Sequence, residues 1–155
     1  MRGVEDLIEE VTRGNVTEVK VVLASVLIAL AVYQVFLMAV GYGKVRLPSL
    51  KPKAASFGHR AVGDSILVLT LVVSWMCVGY FGISDGIEHA RPGEELRAAV
   101  HVVSALALLA VLTFKVVVVR WWHSLGRFLP HFGLTVFTLF VIVWLSSAGD
   151  YLWGG

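Results

Sequence analysis

The chain has 155 residues, of which 57% are hydrophobic and 15% are charged, and its mean hydropathy is +0.80. About a quarter of the residues in a soluble domain are charged, so these values nearly exclude a soluble globular domain, and they also exclude a disordered chain. The single cysteine, Cys77, excludes an internal disulfide, a cysteine zinc site and an iron–sulfur cluster.

Residues 1–14 are predicted to form a short amphipathic helix on the membrane surface. Val4, Leu7, Ile8 and Val11 recur at helical spacing, and acidic residues stand between them. The alternative is a partly frayed tail. A signal peptide is not indicated, because acids occupy the place where a basic region would stand.

Four apolar stretches follow, at about 21–42, 60–83, 97–119 and 128–149. A helix needs about 20 apolar residues to cross a bilayer, so each stretch predicts a transmembrane helix. The connections between them are short, which favours an antiparallel up-down-up-down bundle. The predicted fold is therefore all-α: an integral membrane four-helix bundle with a surface helix, formed as a single membrane domain by residues 1–155.

The net charge of +2 divides unequally between the two membrane faces. The face of the first and third loops has eight bases against one acid, Asp64, for a net charge of +7. The opposite face has five bases against ten acids, for a net charge of −5. The eight bases are Lys44, Arg46, Lys51, Lys53, Arg60, Lys115, Arg120 and Arg127.

Lys and Arg concentrate in short cytoplasmic loops. Loops 43–58 and 120–127 are therefore predicted to be cytoplasmic and both termini to lie outside, in the plasma membrane of a prokaryote. Basic loops serve topology and attraction to anionic lipid, or they dock an anionic partner. The lipid bilayer is the expected environment, and no nucleic-acid partner is expected.

Two histidines, His59 and His131, begin the second and fourth spans at the predicted cytoplasmic face. Two imidazoles from different helices are suitable axial ligands for the iron of a b-type haem. Gly63, one turn after His59, leaves a flat surface for the porphyrin. The haem propionates would meet cations at the interface, and the candidates are Arg60, Arg120 and His123. The alternative is that both histidines are interfacial and bind no iron.

A second candidate site lies near the outer face. His101, one turn inside the third span, and Met76, near the end of the second, are at similar depth. A His/Met pair is permitted for a haem. The alternatives are that Met76 fills the core and that His101 forms an interhelical hydrogen bond. Asp64 either pairs with Arg60 or handles a proton beside a haem or quinone.

The chain resembles the cytochrome b561-type membrane haem proteins and, more loosely, the ferric-reductase-like transmembrane bundles. The resemblance is carried by Gly-His-Arg-Ala-Val-Gly at 58–63, by His101, and by Pro130-His131. In that family, a histidine of the second core helix pairs with one of the fourth. The resemblance therefore implies that His59 and His131 are axial ligands, with His101 as the third-helix ligand. The first span contains no histidine to pair with His101, so one haem is expected more than two.

These patterns predict a subunit that binds haem b and passes electrons between a quinol and a redox partner in a respiratory-type complex. The haem would supply the redox chemistry, so no catalytic side chain and no stand-alone activity are expected. The alternative is a haem-free accessory subunit of a larger respiratory or photosynthetic assembly. A small transporter is less favoured, because mirrored broken helices are absent from the pattern.

Overall fold

The computed structural model describes residues 3–82, 94–121 and 128–153, with the backbone alone at 81 and 150. Six α-helices occur in this part of the chain. They are α1 (Val4–Thr12), α2 (Val16–Gly41), α3 (Pro52–Met76), α4 (Glu95–Arg120), α5 (Leu129–Trp144) and α6 (Asp150–Trp153). Single π-helical turns, Cys77–Phe81 and Leu145–Gly149, extend α3 and α5. The described residues contain no β-strand, only an isolated bridge between Leu47 and Leu50.

Four helices are long and apolar enough to span a membrane: Val16–Gly41, Pro52–Tyr80, Glu95–Arg120 and Leu129–Gly149. The chain is therefore an integral membrane protein of all-α class, as the composition predicts. Hydrogen bonding within each helix satisfies the backbone, and lipid requires this. The second spanning helix, α3, begins at Pro52, eight residues before the predicted residue 60. Pro52 is suited to this place because the first turn of a helix needs no backbone N–H.

The N-terminal helix α1 is amphipathic, as its spacing predicts. Ile8 is buried with Val16 and Met76, whereas Leu7 and Val11 are exposed. Asp6 caps the helix by accepting a hydrogen bond from the Gly3 N–H at 3.2 Å. This packing places α1 against the π-helical end of α3.

The spanning helices form an antiparallel bundle in which α2 packs against α3 and α5, and α5 packs against α4. All four contribute to a central core of Leu27, Ala31, Ile66, Leu108, Leu112, Val136 and Phe140. Short connections join consecutive helices and impose the alternating direction. We call the end that carries residues 42–51 the basic end, and the end that carries α1 and α6 the terminal end.

Candidate functional sites at the two ends of the bundle

At the basic end, His59 of α3 is linked to Gln34 of α2. Gln34 Nε2 donates to the His59 carbonyl oxygen at 2.7 Å, and His59 Nδ1 lies 3.3 Å from the Gln34 carbonyl oxygen. The imidazole is half-buried. With Nδ1 engaged by this carbonyl, Nε2 is directed away from α2. Haem-ligating imidazoles have this arrangement, since an oxygen at one ring nitrogen fixes the orientation of the other.

Gln34 is absent from the residues predicted as a site. Its Oε1 atom is buried and has no hydrogen-bond partner in the described part of the chain. A buried polar atom without a partner is costly and needs an explanation. A signal was present in the sequence, because Gln34 is the one amide side chain in the apolar stretch 21–40.

The surface beside Gly63 is occupied by Gln34. A Cβ atom at Gly63 would lie 3.0 Å from Gln34 Nε2, and one at Gly58 would lie 3.6 Å from Leu37. The two glycines therefore allow α2 and α3 to approach closely. The flat surface predicted for a porphyrin at Gly63 is covered by this amide.

His131 lies in the first turn of α5, and its side chain is exposed. Gly133, two residues later, faces Met38 of α2, with 3.8 Å between its Cβ position and Met38 Sδ. Gln34 and Met38 are one turn apart on α2. His59 and His131 therefore lie at the same end of the bundle, on the two helices that pack against α2, in agreement with the sequence.

The predicted propionate anchors lie at the basic end as far as they are described. Arg60 and Arg120 are exposed, and His123 falls outside the described residues. Lys115 of α4 is half-buried and within electrostatic range of His59. Lys115, together with Arg60 next in the chain, therefore gives His59 cationic neighbours.

At the terminal end, a cavity of about 270 Å³ lies within the bundle and is lined by all four spanning helices. Its wall is mainly apolar, and its polar members are Lys20, Thr70, Ser74, Cys77, His101 and Ser147. Cavities of this kind, apolar with a few polar groups, occur between the helices of bundles. The sequence did not predict this cavity, because it depends on how far apart the helices stand.

His101 joins α4 to α5 beside this cavity. Its Nδ1 lies 3.1 Å from Ser146 Oγ, and the Ser146 hydroxyl donates to the Val143 carbonyl at 3.1 Å. The contact between His101 and Ser146 is a hydrogen bond between α4 and the end of α5, and the tautomer of His101 decides which of the two groups donates. The predicted interhelical hydrogen bond is therefore confirmed. Ser104 also donates to the carbonyl groups of Val100 and His101.

Met76 and His101 are not brought together. Met76 is buried in the cluster with Ile8 and Val16 beneath α1, and it does not line the cavity that His101 borders. The core-filling role is the one observed for Met76. Among the described residues, no group of three or more His, Cys, Asp or Glu side chains is placed to hold a metal ion.

The chain belongs to a family of unknown function, DUF6529, whose model matches residues 7–154. The match includes most of α1, the four spanning helices and both end sites. No curated protein and no solved structure matches the chain. The function must therefore be argued from the two end sites themselves.

Proposed function

We propose that the protein is a b-type haem-binding membrane subunit that passes electrons between a quinol and a redox partner in a respiratory-type complex. One observation carries the proposal: the half-buried imidazole of His59 has Nδ1 held by the Gln34 carbonyl oxygen, at the same end of the bundle as His131. In a haem protein, the other ring nitrogen, Nε2, binds the iron. An interior imidazole oriented in this way is costly in lipid unless it has a role.

The donor set of the basic end fits a b-type haem. His59 and His131 would bind the iron, and Arg60 and Arg120 would bind the propionates by charge-assisted hydrogen bonds. Gln34 would fix the imidazole of His59, and it occupies the space beside Gly63. When bound, the haem supplies one-electron transfer. The side chains named above would hold and orient it, and the apolar core would exclude water. His101 as the ligand of a second haem stays a prediction.

The test is a reduced-minus-oxidised optical spectrum of the purified full-length protein. A Soret band and sharp bands on reduction are expected from the native chain. His59→Leu and His131→Leu are each expected to abolish these bands, because a b-type haem is held by its axial ligands. His89→Leu is the matched control, because His89 lies between the second and third spans in the sequence. The bands of this variant are expected to persist.

Size-exclusion profiles establish that each variant is folded before its spectrum is read. Native protein without a Soret band, expressed with haem supplied, contradicts the proposal. If the bands persist in His131→Leu but are lost in His59→Leu, the chain binds haem, but His131 is not one of its ligands.

A second candidate function is a haem-free accessory subunit of a larger membrane assembly. It is favoured by the outward face of α3, where Arg60 and Asp64 are exposed one turn apart within the spanning helix. Charged groups that face away from a bundle are costly in lipid and favour a protein neighbour. Purification from native membranes in mild detergent tests this second function. Large subunits are expected to co-purify with the native chain, and Asp64→Leu is expected to release them.

We further propose that the basic end faces the cytoplasm and that both termini lie outside. The excess of Lys and Arg in the short loops of that end supports this orientation. In a Cys77→Ala background, a cysteine at position 44 is expected to resist an impermeant thiol reagent in intact cells. A cysteine at position 10 is expected to react. The reverse pattern contradicts this topology.

A further inference from the structure

The cavity at the terminal end has room for a substituted ring. Its volume is about 270 Å³, and an apolar cavity of about 150 Å³ is large enough to bind benzene. Apolar side chains from all four spanning helices form most of the wall, among them Leu27, Val73, Leu109, Phe140 and Val143. An apolar cavity left empty loses the dispersion contacts of its lining atoms, and a bound ring would restore them.

The cavity reaches the outer surface of the bundle between α3 and α4. Val78, in the π-helical end of α3, and Leu106 of α4 line it, and both side chains are about half exposed on that surface. Elsewhere around the bundle, neighbouring helices pack extensively: α2 with α3, α2 with α5, and α4 with α5. A molecule dissolved in the bilayer can therefore enter from the side.

Two hydrogen-bonding side chains of the described wall remain for an occupant. The hydroxyls of Thr70 and Ser147 donate to backbone carbonyls four residues earlier, and Lys20 already has an interaction partner. His101 of α4 and Ser74 of α3 are left. No Asp or Glu is among the described lining residues, so an occupant that meets this wall is uncharged.

The imidazole of His101 is held from the side of α5. Its Nδ1 lies 3.1 Å from Ser146 Oγ, and the backbone of Val143, on the same helix, also hydrogen-bonds to the ring. Nε2 is the ring nitrogen that remains for an occupant, and it donates in one tautomer and accepts in the other. A purely apolar occupant would leave Nε2 without a partner, which is costly in apolar surroundings. The cavity therefore fits a ring that carries an oxygen better than an acyl chain.

We propose that this cavity binds the ring of a membrane quinone, in its quinol or quinone form, with one ring oxygen at Nε2 of His101. A quinol hydroxyl donates to an accepting Nε2, and a quinone carbonyl accepts from a donating one. The second ring oxygen would meet the hydroxyl of Ser74, and the chain would leave between Val78 and Leu106 into the bilayer. The choice of a quinone among uncharged rings rests on the proposed function, which needs a lipid-soluble electron donor.

The test uses the purified full-length chain in nanodiscs with a trace of an azido-quinone, a photoreactive probe that keeps both ring oxygens. After irradiation, cross-links are mapped by peptide mass spectrometry, and the segments of α3 and α4 that line the cavity are expected to be labelled. Unlabelled decylubiquinone is expected to compete. Decylbenzene, which has a ring and the same alkyl chain without the oxygens, is expected to compete about fivefold more weakly, the factor for one neutral hydrogen bond. Oleic acid, a chain without a ring, is expected to leave the labelling unchanged.

Two variants with matched controls locate the site. Ala105→Phe places a ring in the cavity and is expected to abolish the labelling, whereas Ala110→Phe, on the exposed side of the same helix, is expected to leave it unchanged. His101→Leu is expected to weaken competition by decylubiquinone about fivefold and to leave competition by decylbenzene unchanged. Ser146→Ala breaks the same interhelical hydrogen bond but keeps the imidazole, and it is expected to weaken competition by less.

The optical spectrum of the same samples separates this inference from the haem proposal. The Soret band is expected to persist in Ala105→Phe and His101→Leu, because the proposed haem lies at the basic end. A native chain that has the Soret band but no specific labelling contradicts the quinone site alone. Specific labelling of a chain without a Soret band contradicts the haem alone.

Several outcomes overturn the inference. Equal labelling of the Ala105→Phe and Ala110→Phe variants places the probe on the outer surface. Equal competition by decylbenzene and decylubiquinone, or an equal loss in Ser146→Ala and His101→Leu, removes the role of Nε2. Competition by oleic acid as strong as that by the quinone assigns the cavity to an acyl chain. A Soret band that is lost in His101→Leu assigns it to a haem. His101→Leu leaves the cavity open, so the test holds even if Ala105→Phe fails to fold.

Discussion

The two ends of the bundle are built differently although the same four helices form both. At the basic end, Gly58 and Gly63 bring α3 close to α2, and two contacts between Gln34 and His59 join the helices. At the terminal end, α3 and α5 pass into π-helical turns, and a cavity separates α3 from α4.

The difference shows what brings helices together in lipid. Apolar side chains gain little by leaving lipid for protein, so close approach depends on small residues and interhelical hydrogen bonds. α2 and α3 have both at the basic end. Between α3 and α4 the described residues form no side-chain hydrogen bond, although small residues such as Ser74 and Ala105 line the space between them, and that space is the cavity. π-helical turns are frequent at functional sites, and both turns in this protein contribute residues to that cavity.

The largest expected effect is at the close contact of the basic end. Gly63→Leu needs the space held by Gln34 Nε2, only 3.0 Å from the Cβ position. We expect the free energy of unfolding to fall by about 2 kcal/mol, as for overpacking of a filled interior. Equilibrium unfolding in mixed micelles measures this. Ala61→Leu, at an exposed position of the same helix, is the control, and an equal loss there would show that the contact with α2 is unimportant.

A smaller effect is expected where Arg97 joins α4 to α5 at the terminal end. Its guanidinium donates to the Ser146 carbonyl at 2.9 Å and lies 3.6 Å from Glu94 Oε2. Because the side chain is more than a third exposed, we expect Arg97→Met to cost about 1 kcal/mol of unfolding free energy. Glu94→Gln removes only the surface ion pair, and it is expected to cost close to nothing in the same assay.

The smallest effect on the whole molecule is expected where α1 rests on α3. In Gly79→Ala, the added Cβ would lie 2.7 Å from Val4 Cγ1 and 3.2 Å from Ile8 Cδ1. The end of a valine side chain can move, so α1 shifts while the bundle stays intact. Hydrogen exchange of the amides of α1 is expected to rise about fivefold, equivalent to about 1 kcal/mol of local stability.

The control for α1 is Gly133→Ala, whose Cβ would make an ordinary contact at 3.8 Å with Met38 Sδ. Exchange in α1 is expected to be unchanged in this variant. If Gly79→Ala also leaves the exchange of α1 unchanged, the contact with Gly79 does not hold α1 on the bundle.

The site residues were predictable to different degrees. His59, His101 and His131 stand out in the sequence because ionisable groups are rare in apolar spans. Gln34 carried the same signal more weakly, since an uncharged amide hardly alters the hydropathy of a span. The pairing of Met76 with His101 rested on equal depth alone. Depth does not specify which side of a helix a residue faces, and Met76 faces α1.

The residues by themselves determined the number of spanning helices, the amphipathic α1 and the unequal charge of the two ends. Each follows from composition along the chain, because an apolar run of about 20 residues has one stable form in lipid. Only the tertiary structure decided that Gln34 meets His59, that His101 meets Ser146, and that a cavity lies between α3 and α4. These features depend on the rotation and separation of helices, which packing sets and a hydropathy pattern does not encode.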